Sequence, residues 1–358
     1  MKKIVAITVV LLTLLILIIS SIDDVTKSIA DFRYNSRSWW GADKFAYGDL
    51  YGLSYLPHFR MKDQKGKRNF ISFQTPGQFK DIDLYAMSDS YTWSLFLEPQ
   101  LFYHVNKVQF ALFGDREIIP VNLDHHKKNV LVLESSERNI RSIYQDTAYL
   151  TRFINLNPGP HNDDRLNADK TAKKIKLKFK LKDIDPNIEF NLWEYHFLTP
   201  VKELKAQLAY SLFNRVNHDV YVSDDQKYLL FAKTIDTVNL ESAFKPIGKT
   251  EVNAVISAMN RAYDYYKTKG FDEVYIAIIP NPVTILYPHF RGNTYNQLIP
   301  LIQNNKSLKC KVIDAYTPFK SSKAHLYSYS DTHWTYDGEK LWLSLLNKEL
   351  KVGGQSYK

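Results

Sequence analysis

Asp81-Ile82-Asp83-Leu84-Tyr85-Ala86-Met87-Ser88-Asp89-Ser90-Tyr91-Thr92 is the stretch whose reading decides the fold. A nearly unbroken apolar run of strand length passes directly into a short polar turn. Runs of this kind, without the alternation of a half-exposed strand, belong to parallel strands buried on both faces. Ligand sites in such sheets form at the carboxyl ends of the strands. The turn carrying Ser88, Asp89 and Ser90 is therefore the natural place for chemistry. Thr92 to Val105, rich in Leu, Phe and Tyr, predicts a helix, with Ser90 near its amino terminus, where free backbone N–H groups stabilise developing negative charge. A serine in this position is also an ordinary helix N-cap, so the local sequence leaves both roles open.

Working outward, Val108 to Phe113 and Val130 to Leu133 read as further strands, and Ser136 to Arg152 as a helix. Apolar residues at 252, 255, 256, 259, 263 and 266 follow helical spacing up to Gly270, a natural stop. Val274 to Ile279 and Lys311 to Ala315 read as strands, and Tyr295 to Gln303 as a helix. A last helix from about Gly338 to Leu350 buries Leu341, Trp342, Leu345 and Leu346. Strands alternating with helices predict an α/β domain whose mostly parallel sheet is covered on both faces.

That domain spans residues 79–358, interrupted at about 153–250 by an irregular, β-containing insertion. Within the insertion, Lys174 to Lys182 places lysine at every second position with Ile175, Leu177, Phe179 and Leu181 between. This is a strand with one apolar and one cationic face. It serves either as a lysine-protected edge or as a docking face for an anionic polymer or lipid head groups. Residues 23–78 form a lead-in with Trp39-Trp40-Gly41 and a basic stretch from Arg60 to Arg68.

Residues 1–22 have a different character. Lys2 and Lys3 precede an uninterrupted apolar run from Ile4 to Ile19. The run exceeds the usual signal-peptide core, lacks a small-x-small cleavage site and approaches the roughly 20 residues that cross a bilayer. It predicts a single-pass signal anchor in the cytoplasmic membrane, with the lysines inside and the body of the protein outside. A cleaved signal would place that body outside the cytoplasm as well.

The net charge of +9 in 358 residues suits an acidic partner, such as an anionic glycan or phospholipid head groups. No nucleic-acid motif accompanies it, and the membrane segment argues against that partner. Aromatic residues make up 14% of the chain, which suits either sugar platforms or a Tyr-rich core. Cys310 is the sole cysteine, which excludes an intrachain disulfide and points to a small core residue.

A second polar block, Ser330-Asp331-Thr332-His333-Trp334-Thr335, stands just before the last helix. A nucleophilic serine needs a base, and the base needs a carboxylate on its other ring nitrogen. Together, the Ser90 turn and the Asp331–Trp334 block resemble the SGNH hydrolase superfamily. In that superfamily a GDS-type block after the first strand supplies the nucleophile, and a D-x-x-H or D-x-H block before the last helix supplies acid and base. Asp331-Thr332-His333-Trp334 is similar to the signature of the branch containing alginate O-acetyltransferase and DHHW-type extracytoplasmic proteins.

The resemblance implies a three-layer αβα, flavodoxin-like domain in which Ser90 is the nucleophile, His333 the general base and Asp331 its orienter. It also makes the N–H of Ser90 one oxyanion donor. Ser88 stands where the family has Gly, and no G-x-N-D block follows the third strand. Instead Glu134-Ser135-Ser136-Glu137-Arg138 is similar to the E-x-x-x-R run of the acetyltransferase branch, which makes Arg138 a candidate second donor. The serine block precedes the D-x-H-W block, in the order of ordinary SGNH proteins rather than of the alginate enzymes.

Smaller candidates complete the reading. Asn281 follows a strand end and could face the site, and Trp334 could wall a sugar subsite or pack beneath the loop. Asp124-His125-His126 lacks a second ligand cluster, and Gly48-Asp49-Leu50 lacks a serine in third place. Neither metal nor cofactor is expected. The function expected is O-acyl transfer, acetyl transfer above all, to a cell-surface polysaccharide, with a multi-spanning membrane acyltransferase as acyl donor. Alternatives are an esterase built on the same residues, and a non-catalytic glycan-binding or assembly component.

Overall fold

Strand β1 (Ile82–Ser88) is buried along its whole length in the computed structural model, as its uninterrupted apolar run requires. The structure describes residues 1–36, 38–60, 80–92, 95–113, 119–145, 150–151, 154–156, 179, 182 and 184–354. By contacts the chain divides into two units. One comprises residues 1–63, 162–229 and 329–331, the other residues 64–161, 230–328 and 332–358.

The second unit is built on a five-stranded parallel sheet. It contains β1, β2 (Val105–Leu112), β3 (Lys128–Ser136), β4 (Glu273–Ile279) and β5 (Lys311–Ile313), in spatial order β5-β4-β3-β1-β2. This is a doubly wound order, and it reverses direction between β1 and β3. Register pairs Met87 of β1 with Leu133 of β3. The ends of those strands, and the turns that leave them, therefore lie side by side.

The pleat divides the apolar residues between two faces. On one face Leu84 and Ala86 share a cluster with Trp342, Leu343 and Leu346 of the last helix, Tyr336–Gly354. On the other, Tyr266 of the helix Lys249–Thr268 points its hydroxyl at the Met87 sulfur, 3.0 Å away, and the Tyr85 ring meets Phe271 edge-on. Gly270, at φ +102°, ends the Lys249–Thr268 helix as its spacing predicts. The α/β architecture with its parallel sheet is thus as expected, and Cys310 is buried, its thiol pushed up to about 12 mainly by that burial.

Several elements differ from expectation. Where Thr92 to Val105 predicts a helix, the described residues form two 3-10 turns, Leu95–Leu97 and Pro99–Leu101, and Val105 already begins β2. Pro99 has no N–H for a helix ladder, and His104 adopts φ +55°. Leu95, Phe96, Leu101 and Phe102 are buried, while Glu98 and Gln100 between them are exposed, so the segment packs its apolar residues inward from irregular turns. Ser90 therefore leaves β1 into a turn, not into an α-helix. Of the helix predicted from Ser136 to Arg152, Glu137–Ile143 is helical, and Tyr144 and Gln145 turn. Residues 146–149 and 152 lie outside the described residues, and 150–151 are helical again. The helix before β5 is confined to Leu298–Gln303.

The first unit holds the apolar helix Lys2–Ser20, 19 residues long and apolar enough to be a membrane span or a signal sequence. The lead-in contributes the helices Asp23–Asn35 and Asp49–Ser54. The insertion contributes the helices Ile184–Trp193 and Thr199–Phe213. The basic stretch Arg60 to Arg68 lies outside the described residues beyond Arg60. The lysine strand lies outside them as well, except for Lys182 and for Phe179, which bridges to Ile22.

At the amino edge of the sheet, Glu273 of β4 accepts from Lys128 of β3 and Lys311 of β5, each at 2.7 Å. Burial opposes the charge, yet the two ammonium groups hold the carboxyl down at about 2. A depressed carboxyl stabilises the fold above its unfolded value and loses that contribution as pH falls through the folded one. Glu273→Gln is expected to unfold at lower denaturant at neutral pH and to lose less stability than wild type as pH falls from 4.5 towards 2, measured by urea titration across that range. Trp342→Ala is expected to cost about 3–5 kcal/mol in the same assay.

Candidate active site

The reversal between β1 and β3 is crowded with buried polar groups. Ser88, the last residue of β1, is fully buried; its hydroxyl donates to Glu134 Oε2 and contacts the Thr92 hydroxyl. Thr92 Oγ1 donates to the same Glu134 oxygen at 2.7 Å, and the Asp89 N–H at 3.3 Å. Asp89 reaches the other way. Its Oδ2 accepts from the Ser136 N–H at 2.7 Å and from Asn139 Nδ2 at 3.3 Å, and its Oδ1 from the Tyr91 N–H at 3.1 Å. These bonds tie the turn after β1 to the end of β3.

Burial first, and then the Asp89 carboxylate, push the Glu134 carboxyl well above the usual glutamate range. That favours its neutral form. Glu137 is also fully buried and raised by burial, although its Oε2 accepts from the Asn281 N–H at 2.9 Å and Thr284 Oγ1 at 2.6 Å.

Ser90 is the exposed residue of this turn, and its hydroxyl lies 2.7 Å from His333 Nε2. Two residues 243 positions apart in sequence thus meet at the carboxyl end of the sheet. The imidazole is held by its neighbours. The His333 carbonyl accepts from the Ser328 N–H at 3.1 Å, and Nδ1 lies 3.4 Å from Thr332 Oγ1. Tyr91, buried next to Ser90, places its ring 4.9 Å from the imidazole and 5.1 Å from Trp334, while its hydroxyl donates to the Thr332 carbonyl. Among the described residues, the N–H of Ser90 has no acceptor, whereas those of Asp89 and Tyr91 on either side are engaged.

Asp331 belongs to the first unit. There its Oδ2 accepts from the Asp49 N–H at 3.0 Å, and the Ser330 carbonyl accepts from the N–H groups of Leu50 and Tyr51. Gly48 adopts φ +104°, and a Cβ there would fall 2.3 Å from the Ser330 carbonyl oxygen. Gly48-Asp49-Leu50 is thus a backbone clamp on Ser330 and Asp331, which its sequence did not announce.

Among the described residues, Arg138, Asn281 and Trp334 make no hydrogen bond to Ser90 or His333. Arg138 is half-buried in the first turn of its helix, and Asn281 is fully buried at the end of β4. Trp334 is buried against Tyr91, Phe319 and Trp342, which is the packing role and not an open sugar face. Tyr91, Asp89 and Glu134 are the residues that sequence reasoning missed as site residues. The available signal was an acid standing at the end of each of two predicted strands.

A raised carboxyl stabilises the fold below its unfolded value and loses that contribution as pH rises through the folded one. Glu134→Gln, which keeps the shape and removes the titration, is expected to match wild type in acid and to exceed it on the alkaline side. Urea unfolding between about pH 5 and about pH 9 measures this. Identical pH profiles for the two proteins would contradict it. In comparisons with known proteins, no family model, curated protein or solved structure matches this chain significantly.

Proposed function

We propose that this chain is a membrane-anchored serine O-acyltransferase of SGNH type, working outside the cytoplasm on a cell-surface polysaccharide. The observation that carries the reading is the 2.7 Å contact between the exposed Ser90 hydroxyl and His333 Nε2 at the carboxyl end of a parallel sheet. A serine hydroxyl donating to an imidazole is the arrangement a nucleophile requires. Its position at the strand reversal is where such folds bind ligands.

In the first half-reaction His333 Nε2 takes the Ser90 proton as Oγ attacks the carbonyl carbon of an acetyl ester or thioester. The tetrahedral oxyanion is received by the N–H of Ser90. As it collapses, the bond to the leaving group breaks, and His333 returns the proton to that group, leaving acetyl-Ser90. In the second half-reaction His333 takes the proton of a sugar hydroxyl, whose oxygen attacks the acyl-serine. As this second tetrahedral intermediate collapses, the acyl–Oγ bond breaks and His333 returns the proton to Oγ, which releases the acetylated sugar and restores the Ser90 hydroxyl.

Asp331, two residues upstream of His333 in the chain, is the proposed orienter of the imidazole, with the Asp49 amide fixing its carboxylate. The apolar helix Lys2–Ser20 acts as a signal anchor, which keeps the site beside a multi-spanning membrane acyltransferase that delivers the acyl group. Water as acceptor would turn the same residues into an esterase. The tether favours transfer, because a hydrolase gains less from being held at a membrane.

The test is incubation of the detergent-solubilised full chain with p-nitrophenyl acetate, with and without an oligosaccharide acceptor. Acetylated sugar is the expected product, with acetyl-Ser90 detectable by mass spectrometry after a brief reaction. Acetate alone would assign an esterase. Ser90→Ala and His333→Ala are expected to lower the rate by at least about 10³-fold, and Asp331→Asn by about 10²–10⁴-fold. Wild-type turnover in Ser90→Ala would remove the enzymatic reading and leave a glycan-binding role.

A further inference from the structure

Helix Thr199–Phe213, in the first unit, is built inside out. Its outward stripe carries Val201, Leu204, Leu208 and Leu212, with Leu212 67% exposed. Its inward side carries charges. Lys202 Nζ donates to Glu194 Oε2 at 2.8 Å and to the Tyr55 hydroxyl oxygen at 3.1 Å. Glu203, its side chain only 13% exposed, accepts from the Tyr51 hydroxyl at 2.8 Å and pairs with Arg60. A helix on a water-facing surface shows the reverse pattern, apolar residues inward and charges outward.

Exposed aromatic rings stand just before this helix in the chain and on the lead-in that meets it. Trp39, Trp40, Trp193 and Phe197 are each at least half exposed. Trp39 stacks on Trp40 with centroids 3.7 Å apart and lies 5.6 Å from Phe197, two residues before the helix. These rings stand on a rigid mount. Arg33 Nε donates to the Trp40 carbonyl at 3.1 Å, and the His196 N–H donates to the Gly41 carbonyl at 2.9 Å. An open apolar cavity of about 690 Å³ beside them is lined by Ile29, Phe32, Trp40 and Tyr195.

The apolar helix Lys2–Ser20 is fastened to the same elements. Asn187 Nδ2 donates to the Ser20 carbonyl at 2.8 Å, and Asn191 Nδ2 to the Ser20 hydroxyl at 3.0 Å. Both asparagines sit on helix Ile184–Trp193, which leads through residues 194–198 directly into Thr199.

We infer that this face of the first unit lies on a phospholipid bilayer. The stripe of helix Thr199–Phe213 enters the boundary between head groups and acyl chains, and the tryptophan cluster sits at head-group level. The bilayer is the occupant because the helix fastened to this patch is itself of membrane-spanning length and apolarity. Tryptophan at the interface, and exposed Lys205 and Arg215 flanking the apolar stripe, are the composition that anionic head groups retain. The inference concerns the first unit and is independent of acyl transfer by the second.

The test uses the full chain reconstituted in vesicles of phosphatidylcholine and phosphatidylglycerol with no other protein. Cys310 is buried, so a nitroxide can be placed on Leu204→Cys, Leu208→Cys or Leu212→Cys. His218→Cys, whose native side chain is 91% exposed, is the control. Oxygen partitions into lipid, and a water-soluble nickel chelate does not. The expected result is a several-fold higher oxygen-to-nickel collision ratio at the three leucine positions than at 218. Nickel accessibility at 208 equal to that at 218 would overturn the inference, leaving the stripe to a protein partner absent from the vesicles. Shielding from both reagents, as between two copies of the chain, would overturn it equally.

Discussion

A parallel sheet brings the polar ends of its strands together, and those ends must be hydrogen-bonded or remain exposed. At the reversal between β1 and β3 this constraint is met by two acids. Glu134 gathers Ser88, Thr92 and the Asp89 N–H on one oxygen, while Asp89 gathers the N–H groups of Ser136 and Tyr91 and the amide of Asn139. Once those bonds are made, the turn has no freedom left to vary. Ser88, Asp89, Tyr91 and Thr92 are consumed inside, and Ser90 is left outward beside His333.

The two edges of the sheet treat their acids differently, for a definite electrostatic reason. At the amino edge Glu273 stands among the first residues of β3, β4 and β5, and two lysines hold it charged. At the carboxyl edge Glu134 has hydroxyls and a neighbouring carboxylate but, among the described residues, no cation bonded to it, so burial favours its neutral form. The first edge is a cross-strand clip. The second is a hydrogen-bonded floor under an exposed hydroxyl, in which the Asp89 carboxylate stands beside a neutral Glu134.

The first unit answers a different demand. Its inward charges and outward leucines make sense only where the outside is less polar than water, and the fastening of Ser20 by Asn187 and Asn191 fixes which elements adjoin the apolar helix. The Trp39-Trp40-Gly41 stretch, opaque when read alone, acquires a role from this setting. Gly41 fits there because a Cβ would fall 2.4 Å from the Ser36 carbonyl oxygen, a backbone atom, as well as 2.2 Å from the His196 ring.

Much of the second unit was legible in advance, because apolar runs such as Ile82–Met87 and Val274–Ile279 are dictated by burial on both faces. The pairing of Ser90 with His333 was reachable through residue types and a family resemblance. Thr92 to Val105 misled because its composition suits a helix, while Pro99 brings no N–H to a helix ladder and His104 takes a positive φ. By itself the sequence determined the alternation of strands and helices, the apolar amino terminus and the residue types at the two polar blocks, since these follow from local periodicity and composition. Only the tertiary structure decided the strand order, the burial of Asp89 and Glu134, the clamp of Gly48 and Asp49 on Asp331, and the outward face of Thr199–Phe213. Those depend on which distant segments share a surface, and no local pattern encodes that.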